Sequence, residues 1–160
     1  MADPFSIVVG TVGLLDVCFR FAGYLNDVQA GAAQIDDEIV GLLREIEALK
    51  SVNETIQANY KGFPKPVNPD EPIPNEVADL WGNIRSNLQD CRIIVEDLEQ
   101  LVISIVGQER RDKSSRFASK LDGFRKQLRK QSKEGDFNKL RSRLHTYQST
   151  LQLMLDLVLL

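Results

Sequence analysis

The residue types that carry most enzymatic chemistry are sparse in this chain. His145 is the only histidine among the 160 residues, and its neighbourhood RLHTYQS holds no cysteine or aspartate at ligand spacing. The sequence contains no glycine-rich phosphate loop and no HExxH, CxxC or GxSxG motif. A di-iron site in a helical bundle requires two Glu-x-x-His motifs, which a single histidine cannot supply. We therefore expect no enzymatic activity, no metal site and no cofactor.

The acidic side chains are predicted to face solvent rather than one another. Asp36 and Asp37, like Glu96 and Asp97, are adjacent in sequence, so their side chains diverge on a helix and cannot act as a carboxylate pair. Other acids of the helical segments are interpreted as ordinary solvated positions: Glu38, Glu45 and Glu99.

Two cysteines, Cys18 and Cys91, are too few for a disulfide framework. Both occupy apolar positions of helical segments, which is typical of buried free thiols. We expect a reducing compartment.

The charge is distributed unevenly along the chain. Residues 1–106 hold 7 Lys or Arg against 17 Asp or Glu, whereas residues 107–145 hold 13 against 5. The basic region leaves three interpretations open. It is a solvated face paired with the acidic helices, a surface for anionic lipid headgroups, or, more weakly, a nucleic-acid site that lacks interleaved aromatic residues. The residues predicted to contact headgroups are Lys120, Arg125, Lys126, Arg129, Lys130 and Lys133.

The N-terminal stretch PFSIVVGTVGLLDVCFRFAGYL, residues 4–25, is apolar on nearly every face of a helix. It lacks the positive flank of a secretory signal, and its uncharged run of 11 residues is shorter than the ~20 that a membrane span requires. Asp16 and Arg20 interrupt it but stand at i,i+4, where they can pair. Heptad spacing follows Phe5, Val8, Val12, Leu15, Phe19 and Ala22. Such a helix belongs to a protein core or to lipid.

Apart from a proline-rich loop, the remaining chain has helical periodicity. Three long heptad-like series run Ile35–Ile56, Val77–Ile105 and Phe137–Val158, and a shorter one joins Phe117, Leu121, Phe124 and Leu128 before a break at Gly135. A loop at 61–75 holds five of the six prolines. We predict a single all-α domain over residues 1–160, an antiparallel bundle of four long helices plus the hydrophobic N-terminal helix. Because LQLMLDLVLL carries no helix stop signal, we expect the natural protein to continue.

Five segments together resemble the N-terminal HeLo-like domain of fungal STAND receptors. They are MADPFSIVVGTVGLLDV, EIVGLLREIEALKSVNETI, KLDGFRKQLRK, DFNKL and LRSRLHTYQSTLQLML, which span most of the chain. That family is similar in fold to the HeLo domain of fungal incompatibility proteins. It is also similar to the helical bundles of the necroptosis pseudokinase and of plant resistance proteins. The resemblance implies an α-helical bundle at the head of a longer receptor.

The resemblance also implies a function in programmed cell death. The domain would move from the cytoplasm to the plasma membrane on activation, oligomerise, and permeabilise the bilayer with its N-terminal helix. The partners implied are anionic membrane lipids, further copies of the chain, and downstream NACHT or NB-ARC, repeat or amyloid-motif segments, with no nucleic acid. Insertion would be performed by Phe5, Ile7, Val8, Val9, Gly10, Val12, Gly13, Leu14, Leu15, Phe19 and Phe21. The alternative is a protein–protein adaptor that oligomerises without touching lipid.

Overall fold

The computed structural model describes residues 4–31, 36–61, 75–112 and 123–159. Its elements are all helices: α1 (Pro4–Ala30), α2 (Asp37–Lys61), α3 (Asn75–Asp112), α4 (Phe124–Lys130) and α5 (Glu134–Val158). The predicted all-α bundle is confirmed. The proline-rich segment between α2 and α3, and the part of the fourth series around Phe117, Lys120 and Leu121, lie outside the described residues.

The helices form a four-cornered bundle closed at one end by α4. Helix α1 packs on α2 and α3, and α5 packs on α3 and α2. The amide group of Asn53 near the end of α2 donates to the carbonyl of Thr11 near the start of α1, so these two helices are antiparallel. Helix α1 runs parallel to α3: Gly10 lies against Leu88, and Arg20, nearly three turns later in α1, pairs with Glu99, about three turns later in α3.

The predicted heptad series of α2, α3 and α5 supply most of the core. The described members of the α2 and α3 series are all buried, from Ile39 to Ile56 and from Trp81 to Ile105. In α5, Phe137, Leu144, Leu151 and Met154 are buried as well. Each of these helices carries one continuous apolar stripe, although α3 and α5 also expose Ile93 and Leu153, so the stripe determines which side faces inward.

Helix α1 turns inward a face that only partly overlaps the heptad series noted in its sequence, of which Ala22 is buried. Its buried residues include Leu14, Cys18, Phe21, Leu25 and Val28, which follow one another at three- and four-residue steps. Val12 and Phe19 of the heptad series are 43% and 54% exposed. The sequence left the inward face of α1 open, because α1 offers several apolar stripes, and α2 and α3 cover the one that carries Leu14 and Phe21.

The break between α4 and α5 lies at Ser132 rather than at Gly135. Ser132 adopts a positive φ of 56°, and its N–H and that of Lys133 donate to the carbonyls of Arg129 and Leu128. This pair of hydrogen bonds is the Schellman motif that ends many helices, usually with glycine at the left-handed position. Gly135 lies instead in the first turn of α5.

Asp36 joins the starts of α2 and α4. One carboxylate oxygen accepts the backbone N–H groups of Glu38 and Ile39 at 3.0 and 3.2 Å, which caps α2. Its second oxygen accepts the N–H of Phe124, the first residue of α4, at 2.6 Å. One side chain therefore accepts hydrogen bonds from two helices, although Asp36 and Phe124 are 88 residues apart in sequence.

Candidate functional site: helix α1 and the basic surface

Helix α1 places its predicted insertion residues on two opposite faces. Leu14 and Phe21 are fully buried against α2 and α3, whereas Val9, Val12 and Phe19 are exposed on the outer side. Gly10, Gly13 and Leu15 are half-buried between these faces. The side chains of Phe5, Ile7 and Val8 lie outside the described part of the chain. Apolar residues therefore occur on both the inner and the outer face of α1.

The outer face of α1 is partly screened by a cation from α2. The ammonium group of Lys50 lies 4.2 Å from the centre of the Phe19 ring. A cation over an aromatic face stabilises an exposed pair by ~0.5–1 kcal/mol. Phe19 is therefore an exposed apolar side chain with a polar neighbour in this state.

Two glycines of α1 face α3. A Cβ built on Gly10 would lie 3.9 Å from Leu88, which is ordinary contact. A Cβ on Gly13 would lie 2.8 Å from Nη1 of Arg92, whose side chain crosses α1 there and pairs with Glu96 at 3.1 Å. Gly13 therefore makes room for a flexible side chain, and Gly10 allows but does not require a small residue.

Arg20 joins α1 to α3 through a buried carboxylate. Its Nε and Nη2 donate to the two oxygens of Glu99 at 2.9 and 2.7 Å. The Glu99 side chain is only 7% exposed, whereas that of Arg20 is 60% exposed. The hydrogen bonds and charge of Glu99 raise the pKa of Arg20, with smaller contributions from Glu96 and Asp16. The interpretation of Glu99 as a solvated acid was wrong, and Arg20 takes Glu99 as its hydrogen-bond partner in preference to Asp16.

A second interhelical cluster fixes α5 to α2. Arg141 donates to Glu38 at 2.8 Å and, through Nε and Nη2, to Glu45 at 3.0 and 2.7 Å. Gly41 lies between the two acids on α2, and a Cβ there would come 3.1 Å from the guanidinium. Hydrogen bonds from Arg141 to both carboxylates raise its pKa, and Glu45 has the larger effect. Glu38 and Glu45, interpreted from sequence as solvated, are partly buried acceptors in this cluster.

Both cysteines are buried free thiols, as predicted. Burial raises the pKa of Cys18 and of Cys91 from 9.0 to about 12. Since the thiolate is the nucleophile, neither sulfur is reactive while α1 stays in place.

The predicted headgroup residues lie on one exposed surface around α4 and the start of α5. Arg125, Lys126, Arg129, Lys130 and Lys133 are all exposed, and Lys120 lies outside the described residues. Glu134 approaches Arg125 at 3.7 Å and Arg129 at 3.4 Å, and Asp136 approaches Lys133 at 3.9 Å. Two described acids, Glu134 and Asp136, therefore approach three of these bases. We call these five residues the basic surface.

Other site types are not found in the described residues. His145 is exposed on α5, and no three ligating side chains of the described helices are grouped closely enough to hold a metal ion. Among the helices as described, none contains an apolar stretch sufficient to cross a membrane.

The sequence predicted α1 and the basic residues as candidate sites but did not indicate the interhelical ion pairs or the Asp36 cap. The cap had a signal, an aspartate directly before an amphipathic helix. The ion pairs had none, because their partners lie 79 to 103 residues apart. In comparisons with known proteins, no family model, no curated protein and no solved structure matched this chain.

Proposed function

We propose that this chain is a membrane-permeabilising effector domain of programmed cell death, held inactive as a closed bundle. On activation it oligomerises at the inner side of the plasma membrane and inserts α1. The observation that carries the proposal is the composition of α1, which supplies Leu14 and Phe21 to the core and yet exposes Val12 and Phe19. Apolar residues on both its inner and its outer face suit a helix that exchanges a protein core for lipid. The likeness to fungal HeLo-like domains supports the biological setting.

The basic surface supplies the attraction to the membrane in this proposal. Each well-placed Lys or Arg near an anionic leaflet contributes ~1 kcal/mol. Five described bases are exposed there, around a short helix whose inner residues Phe124 and Leu128 are buried. The surface can therefore bind headgroups while the bundle remains folded.

Leakage of dye from vesicles tests the insertion step. We compare Phe19→Asp with Ile93→Asp, because Ile93 on α3 is 56% exposed and is therefore a matched control for the charge itself. Lys50 lies beside position 19 in the bundle, so the new carboxylate of Phe19→Asp has a cation next to it and we expect this variant to fold. In hydrocarbon a charged residue costs ~2.5–3.5 kcal/mol on the insertion scale, so Phe19→Asp should abolish leakage and Ile93→Asp should not.

The vesicles are made of phosphatidylcholine with phosphatidylserine, and pure phosphatidylcholine vesicles serve as the control. Reversal of Arg125, Lys126, Arg129 and Lys130 to glutamate should remove binding to the anionic vesicles and leave the circular dichroism spectrum unchanged. Equal leakage by wild type and Phe19→Asp after forced oligomerisation would refute insertion of α1.

A protein–protein adaptor is the second candidate, favoured by a different surface. Leu153 and Leu157 stand at i,i+4 on the outer side of α5 and are both exposed. Such a pair fits the apolar face of a partner helix. In an adaptor, Leu153→Asp would prevent signalling, Phe19→Asp would not, and vesicles would remain intact.

A further inference from the structure

We propose that the ion pair between Arg20 and Glu99 is a latch that sets how often α1 leaves the bundle. This inference rests on the proposed function, in which α1 separates from α2 and α3. Arg20 spans the α1–α3 boundary with two hydrogen bonds to one carboxylate. A guanidinium and a carboxylate joined in this way form one of the strongest hydrogen-bonded pairs in proteins.

The burial of Glu99 determines whether loss of Arg20 favours the open or the closed state of α1. In the closed bundle Glu99 is almost fully desolvated, so its charge depends on Arg20 for compensation. Once α1 has separated, water solvates Glu99 directly. Loss of the Arg20 charge therefore destabilises the closed state while leaving the open state nearly unchanged, and the population of the open state rises.

The surface beneath α1 contains a second buried polar side chain that favours separation. Asn53 on α2 is fully buried and donates from Nδ2 to the carbonyl of Thr11 at 2.8 Å. Its Oδ1 has no hydrogen-bond partner among the described residues. A buried acceptor without a donor regains a hydrogen bond when water reaches it. Asn53 and Glu99 therefore lower the free energy of opening, compared with apolar side chains at the same positions.

The other interhelical cluster confines opening to α1. Arg141 is held by carboxylates from two positions of α2, Glu38 and Glu45, and its side chain is 23% exposed. Helices α2 and α5 stay joined by this cluster when α1 moves. Arg141→Gln is thus the matched control, because it breaks an ion pair of similar geometry away from α1.

Hydrogen exchange of the 160-residue chain in solution, resolved by helix with mass spectrometry, tests the latch without lipid. In Arg20→Gln, amides of α1 should exchange about tenfold faster than in wild type, which corresponds to about 1.4 kcal/mol. Amides of α5 should keep their wild-type rates. Labelling of Cys18 with a maleimide should accelerate by the same factor, since α1 must leave before that thiol is accessible. Arg141→Gln should not accelerate α1 selectively.

Equal acceleration of all helices in Arg20→Gln, or no acceleration of α1, would overturn the latch. The double variant Arg20→Met with Glu99→Met removes both charges and should restore slow exchange of α1; failure to do so would also count against it. If Arg20→Gln does not fold, Arg20→Lys replaces it, since lysine keeps the charge but cannot form the pair of hydrogen bonds to Glu99. Selective acceleration of exchange in α1 remains the criterion. Faster α1 exchange with no increase in vesicle leakage would leave the latch standing and refute the proposed function.

Discussion

Replacement of Asp36 by alanine should destabilise the bundle by about 2–3 kcal/mol, because its two oxygens serve two helices. Loss of the α2 cap removes the acceptor of Glu38 and Ile39, and such a loss typically costs ~1 kcal/mol. Loss of the 2.6 Å bond leaves the N–H of Phe124 without this acceptor at a partly buried site, which adds ~1–2 kcal/mol.

Asparagine at position 36 separates the two contributions. It keeps one carbonyl oxygen for the N–H groups of α2 but presents an NH₂ donor where Phe124 needs an acceptor. We expect Asp36→Asn to lose ~1–2 kcal/mol and to lie between wild type and Asp36→Ala. Urea unfolding followed by circular dichroism measures all three, and an unchanged slope shows that the extent of unfolding is the same.

Two outcomes would contradict the roles assigned to the Asp36 oxygens. Equal stability of Asp36→Asn and wild type would show that the bond to Phe124 contributes nothing. A loss below about 0.5 kcal/mol in Asp36→Ala would show that neither helix depends on this carboxylate.

Three further changes have defined outcomes. Ser132→Gly should raise stability by ~0.5–1 kcal/mol in urea unfolding because the residue has a φ of 56°, whereas Ser132→Ala should give no gain. Gly10→Ala should stabilise by ~1 kcal/mol, since the new methyl meets Leu88 at ordinary contact distance and helix propensity improves; destabilisation would mean that α1 and α3 lie closer. Because burial raises the pKa of Cys18 and Cys91 from 9.0 to about 12, unfolding releases protons above pH 9. Stability should therefore fall between pH 9 and 12, and less steeply when both are alanine; equal slopes would contradict the burial.

The bundle was predictable because α2, α3 and α5 each carry one continuous apolar stripe at helical spacing. A run such as Trp81–Ile105 admits one inward face, so its core residues follow from spacing alone. The inward face of α1 was not predictable from the sequence, because its apolar residues allow more than one such face. Burial energy alone hardly distinguishes these faces. In the rotation that α1 adopts, Gly10 lies against Leu88 of α3 and the carbonyl of Thr11 accepts from Asn53 of α2.

The ion pairs were not predictable for a related reason. Glu99 and Glu45 occupy helix positions that are solvated in many bundles, and their charge alone predicts exposure. Their burial depends on which helices are neighbours and how each is rotated. Helix order is a property of the whole fold, so no local pattern distinguishes Glu99 from a solvated glutamate such as Glu54.

The dimensions of α1 constrain how the proposed membrane state is built. The uncharged run Phe5–Leu15 has 11 residues, and at ~1.5 Å per residue it spans ~16 Å of a hydrocarbon core that is ~30 Å thick. A single α1 inserted to full depth would therefore carry Asp16 and Arg20 into hydrocarbon, at ~2.5–3.5 kcal/mol for each charge. Assembly of several copies lowers this cost, because Asp16 and Arg20 stand at i,i+4 and can pair with each other and with the charges of neighbouring copies while Phe19 contacts hydrocarbon. Leakage should therefore rise more steeply than linearly with protein concentration, and a linear dependence would argue against assembly before permeabilisation.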